Sequence, residues 1–132
     1  MAKVLIIDDD RDLTKSLSAA LRGNNFEVAE AHNRDEGLEK LLNEKPDLLV
    51  LDAMLERETD GFDIFYKLRN PSKTSAYNEL SGIPIIMMSS INQKLHSSFT
   101  SREGNALPPG INEFLEKPVK LDRFLDTVQE FV

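Results

Sequence analysis

Val4-Leu5-Ile6-Ile7-Asp8-Asp9-Asp10 is the stretch that decides the fold. Four apolar residues without alternation, rich in β-branched side chains, read as a strand covered on both faces, the pattern of a parallel sheet. The run ends abruptly in acid. Leu48 to Leu51 repeats the arrangement and closes on Asp52, and Pro84 to Met88 gives a third such run that closes on Ser89 and Ser90. Between the first two runs, Leu13, Leu17 and Leu21 lie four apart as on one helix face, and Gly23, Asn24 and Asn25 supply a stop. Phe26 to Ala31 reads as a second strand. Asn33, with Glu36 three residues later, opens a helix in the manner of a capping box, turns Leu38, Leu41 and Leu42 inward, and ends at Pro46.

Beyond Asp52 a polar loop leads to Gly61 and a helix carrying Phe62, Phe65 and Leu68 on one side, which runs out near Asn70 and Pro71. Residues 71–82 read as an exposed loop. Phe114 and Leu115 mark a short fifth strand, and Leu121, Phe124, Leu125 and Val128 a terminal helix. A fourth helix is expected in 91–109, where Ile91, Leu95 and Phe99 keep a four-residue spacing and Pro108 and Pro109 interrupt it. Five β/α repeats with short connections predict a single α/β domain over residues 1–132, a five-stranded parallel sheet doubly wound by right-handed crossovers. In such sheets ligands bind at the carboxyl ends of the strands. Asp8, Asp9, Asp52, Ser89 and Lys117 all fall there.

A chain of 132 residues is long enough to bury a core, and its 40% apolar and 30% charged content is globular. A net charge of −7 argues against a nucleic-acid backbone as partner. With no cysteine, thiolate metal sites and cysteine nucleophiles are excluded. The start of the chain resembles neither a signal peptide nor a spanning segment, so a cytoplasmic protein without membrane contact is expected.

Three carboxylates at one sheet edge conflict, since unit charges about 4 Å apart repel by about 4 kcal/mol at an effective dielectric near 20. A divalent cation resolves the conflict. Oxygen ligands without His or Cys suit a hard ion, and few carboxylates with room for water and a phosphoryl oxygen suit Mg²⁺. Taken singly, each residue has a plain alternative: helix capping for Asp8 and Asp9, turn formation for Asp52, a solvated lysine for Lys117, and a helix cap for Ser89. The joint pattern of acids, hydroxyl and lysine at the ends of strands one, three, four and five is what points to phosphoryl chemistry.

VLIIDDD, LLVLDAML, DGFDI, PIIMMSS and FLEKP resemble, in order and spacing, the motifs of the response-regulator receiver family across essentially the whole chain. The resemblance implies a flavodoxin-like strand order 2-1-3-4-5 and a two-component signalling switch, not an enzyme, that assists its own phosphotransfer and dephosphorylation. It implies that Asp9 ligates Mg²⁺ directly, that Asp8 assists largely through water, and that Asp52 accepts the phosphoryl group. The backbone carbonyl of Met54 would complete the metal site, Lys117 would contact the phosphoryl group, Ser89 and Phe114 would be the switch residues, and the bond before Pro118 would be cis. The implied partners are a histidine kinase or phosphotransfer protein upstream, and downstream a protein target or an output domain outside this chain. The surface expected to switch comprises the fourth helix, the fifth strand and the terminal helix.

Glu56 stands where the family often has proline, the loop from Leu55 to Asp60 is one residue longer, and 71–82 and 91–109 are extended. Two other readings compete: a receiver-like module that docks without phosphorylation, and an aspartate-nucleophile phosphatase, which normally needs a second aspartate where Met54 stands. A flavin or dinucleotide module would need a glycine-rich loop after strand one, and Asp8 to Leu13 contains no glycine.

Overall fold

In a computed structural model that describes residues 1–55, 60–70, 72, 74–90 and 110–132, the apolar runs form one five-stranded sheet. The strands are β1 (Lys3–Ile7), β2 (Glu27–Ala31), β3 (Leu48–Asp52), β4 (Ile85–Ser90) and β5 (Glu113–Lys117). All pairs are parallel, in the order β2-β1-β3-β4-β5. Helices α1 (Arg11–Arg22), α2 (Arg34–Glu44), α3 (Asp60–Arg69) and the terminal α4 (Leu121–Phe131) cover it. The expected helix in 91–109, with Ile91, Leu95, Phe99, Pro108 and Pro109, lies outside the described residues, as does Glu56.

Alternation along each strand divides the core in two. Leu5, Ile7, Leu49, Leu51, Ile85 and Met87 pack against Leu41 of α2 and Phe62, Phe65 and Leu68 of α3. Val4, Ile6, Leu48, Val50, Ile86, Met88 and Leu115 pack against Leu17 and Leu21 of α1 and Phe124 and Val128 of α4. This division is what right-handed crossovers produce when strand order reverses after β2. The reversal places the switch point, where such folds bind ligands, between the ends of β1 and β3.

The helix boundaries have local causes. Asp10 caps α1, its carboxylate accepting from the Leu13 N–H at 3.0 Å, and Asn33 caps α2 by accepting from the Glu36 N–H at 2.8 Å. Glu36 reaches back to the N–H of His32 at 2.6 Å, one residue before the cap. Asn25, at φ 70°, makes the left-handed turn after α1, and Lys45, at φ 45°, makes the one after α2. Gly61 is fixed by proximity: a Cβ there would lie 2.2 Å from the Asp52 carbonyl oxygen, so a side chain would push α3 off the end of β3.

Three expectations need correction. Residues 71–82 are not simply an exposed loop, because a 3-10 turn at Asn78–Leu80 buries Leu80 and packs Tyr77 on the core. The segment after Asp52 is not uniformly polar, for Ala53 and Leu55 are buried. Of the inward leucines of α2, Leu41 alone is fully buried, while Leu38 and Leu42 are half-buried.

Candidate functional site

Strand register assembles the site. Ile7 pairs with Leu51, so Asp8 and Asp52 follow side by side; Asp52 pairs with Met88, and Ser90 with Lys117. By alternation Asp8, Asp52 and Lys117 continue the row of Ile6, Val50 and Leu115, one step beyond the apolar floor. Asp8 is fully buried and Asp52 nearly so, whereas Asp9 is exposed.

Lys117 Nζ lies 2.9 Å from Asp8 Oδ2 and 3.2 Å from Asp52 Oδ2. Asp52 Oδ1 accepts from the Met54 N–H at 3.2 Å, and Asp8 Oδ1 from the Asp10 N–H at 2.9 Å. Asp8 Oδ2 is different. It is buried and answered by the Lys117 ammonium at 2.9 Å, so this buried acid leans on that cation for its compensation.

The electrostatics reflect too much acid for one lysine. Burial, then the charge of Asp8, push the Asp52 carboxyl up to about 7, against the pull of Lys117 and the Met54 N–H. Asp9 is raised by partial burial and by Asp8, with Lys117 opposing. Burial acts to lower the Lys117 pKa, but the charges of Asp52 and Asp8 outweigh it and hold the ammonium above its ordinary value. Oxygen atoms of Asp8, Asp9 and Asp52 lie within 4.8 Å of one another. This cluster of carboxylate oxygens, with no nitrogen or sulfur donor in it, suits a small hard cation such as Mg²⁺.

The structure thus brings together Asp8, Asp9, Asp52 and Lys117, with Met54 beside them. Ser89 is fully buried at the end of β4, but by alternation it follows Ile85 and Met87, and its hydroxyl donates to the Ser90 carbonyl at 3.3 Å. Phe114 is half-buried, packed on the α2/α3 side of the core, and also lines a surface groove of about 390 Å³ with Pro118, Val119 and Arg123. The Lys117–Pro118 bond is cis.

Sequence reasoning missed three arrangements around the site. Thr14, buried on α1, donates to the Asp10 carbonyl at 2.7 Å and lies 3.5 Å from the Asp8 carbonyl. His32 Nδ1 lies 3.0 Å from that Asp8 carbonyl. Asp60, buried at the start of α3, sits 4.0 Å from Arg34, which also bonds Asp63 at 3.2 Å. Asp60-Gly61 was visible as a motif, but nothing in the order of residues linked Arg34 to it across the fold.

Comparison with known proteins places this arrangement. The model of the response regulator receiver domain matches residues 4–129. Response regulator MprA of Mycobacterium ulcerans (strain Agy99) is 31% identical over 123 residues, 93% of this chain and 47% of that protein. The chain therefore spans about half the length of the curated relatives it matches. A two-component response regulator from Clostridium difficile superimposes with a TM-score of 0.77 at 28% identity, covering 99% of this chain and 95% of that one. The chemotaxis response regulator CheY4 of Vibrio cholerae gives 0.76 at 25% identity, covering 100% and 99%.

Proposed function

This chain belongs to the response regulator receiver domain family, and from that premise we propose that it is a phosphorylation switch whose acceptor is Asp52. The observation that carries this reading is the pairing of a buried Asp52 with Lys117 at 3.2 Å, beside a buried Asp8 that shares the same ammonium at 2.9 Å. Asp52 Oδ2 is the attacking atom, and the donor is a phosphohistidine on a kinase or phosphotransfer protein. Lys117, already paired with Asp52, would stabilise charge on the transferred group. Mg²⁺, held by Asp9, Asp52, the Met54 carbonyl and, through water, Asp8, would neutralise the carboxylates and the incoming dianion. The protein acts in this as substrate and helper of its own modification, not as a turnover enzyme.

The signal would leave through Ser89 and Phe114 to the surface of β5 and α4, and be read by a protein target or by an output domain such as the longer relatives have room for. No helix among the described residues is long and apolar enough to cross a membrane, and we place the action in the cytoplasm.

Intact-mass measurement after treatment with acetyl phosphate and Mg²⁺ tests the reading. One phosphoryl adduct is expected, lost in Asp52→Asn and strongly reduced by chelation or by Asp9→Ala. An undiminished adduct in Asp52→Asn would refute the assignment.

A further inference from the structure

Arg69, the last residue of α3, lies at the opposite end of the sheet from the acids, and its guanidinium makes no described contact with a carboxylate. Instead its Nε donates to the Gly110 carbonyl at 2.8 Å, Nη1 to the Ser81 carbonyl at 2.7 Å, and Nη2 to the Ile83 carbonyl at 2.7 Å and to Asn112 Oδ1 at 3.2 Å. These partners are the residues that lead into β4 and β5. Asn112 continues the join, accepting from the Ile85 N–H with the same side-chain oxygen at 2.9 Å while its own N–H donates to the Ile85 carbonyl at 2.9 Å. Gly110, at φ 95°, lets the arginine stem come close: a Cβ would sit 3.2 Å from Arg69 Cγ and Nε.

β5 has reason to need such a clamp. It reads Glu-Phe-Leu-Glu-Lys, an edge strand with one apolar residue for each face. Such a pattern barely distinguishes the observed register from one shifted by a single residue, which turns every side chain to the other face. In the observed register Ser90 pairs with Lys117. A shift would carry Lys117 away from Asp52 and bring Glu116 or Pro118 into its row.

We propose that Arg69, acting through Gly110 and Asn112, is a positioning residue that sets the register of β5 and thereby places Lys117 against Asp8 and Asp52. The link to phosphoryl transfer rests on the role proposed above for Lys117; the clamp itself does not. The planar fork of arginine serves four acceptors at once, which the single ammonium of lysine cannot do with the same geometry.

The test reads register and chemistry separately in Arg69→Gln, Arg69→Lys and Asn112→Ala. Register is read by nuclear Overhauser contacts between β4 and β5, with the Met88 methyl against Leu115 as reporter. Arg69→Gln should weaken that contact, give Leu115 new contacts on the Met87 side, and slow labelling by acetyl phosphate by ten-fold or more, as expected for a misplaced group. Arg69→Lys should recover part of both readouts. If Arg69→Gln does not fold, Asn112→Ala carries the same comparison. Unchanged contacts in folded Arg69→Gln and Asn112→Ala would overturn the clamp. Shifted contacts with labelling at the parental rate would support the clamp and count against Lys117 as a phosphoryl ligand.

Discussion

β3 and β5 each deliver one essential side chain to the same site, yet they are held in different ways. Every residue of β3 is buried, with a neighbouring strand on each side and helices on both faces, so Asp52 is placed by the core itself. β5 is an edge strand in which Leu115 alone is buried, and its placement draws on the guanidinium of Arg69 and the side chain of Asn112. Acid is fixed by hydrophobic burial, and the lysine that answers it is fixed by polar contacts some distance away. A buried acid cluster on a rigid strand can store unfavourable charge, while a weakly packed edge is the element that a signal can move at modest cost.

The comparison breaks most readily on stability. Leu49→Ala in β3 should cost about 2–5 kcal/mol in denaturant unfolding, the range for a fully buried leucine. Phe114→Ala in β5 should cost less, because the ring is only partly buried. Equal losses at the two positions would mean that the edge is as firmly packed as the centre.

A second contrast is electrostatic. Asp52 has its carboxyl raised in the folded state, from 3.8 to about 7, so in the absence of divalent ions its ionisation opposes folding. The unfolded carboxyl loses its proton first as pH rises, and stability falls between about pH 4 and pH 7. Asp52→Asn should therefore raise the unfolding free energy at pH 7.5, by at most about 4 kcal/mol for a shift of about three units, with the gain shrinking towards pH 4. Mg²⁺ should stabilise the parent and narrow the gap. An Asp52→Asn protein that is less stable at pH 7.5 would show that Lys117 compensates the acids better than described here.

The same contrast explains what could be read in advance. β1, β3 and β4 announce themselves as apolar runs because parallel central strands are buried on both faces, and the acids follow by position. β5 was legible from Phe114 and Leu115 together with Lys117-Pro118, but its register was not, since no local pattern fixes it. Arg69, in Lys67-Leu68-Arg69-Asn70, reads as an ordinary solvated helix end; its partners lie 12 to 43 residues away. Leu80 is hidden inside a polar stretch, where a single leucine carries no periodicity. Of the site, the strand ends alone bring Asp8, Asp9, Asp52 and Lys117 together, while Thr14 and His32 approach the Asp8 carbonyl through contacts with no sequence signature.

The most direct test of the switch itself follows amide hydrogen exchange with and without beryllofluoride and Mg²⁺, which together mimic the phosphorylated aspartate. The account predicts slower exchange at Asp52 to Met54, at Ser89 and Ser90, and along Glu113 to Lys117, with little change in Arg34 to Glu44 of α2 and no response in Asp52→Asn. Protection spread equally over α2 and β5, or a full response in Asp52→Asn, would contradict it.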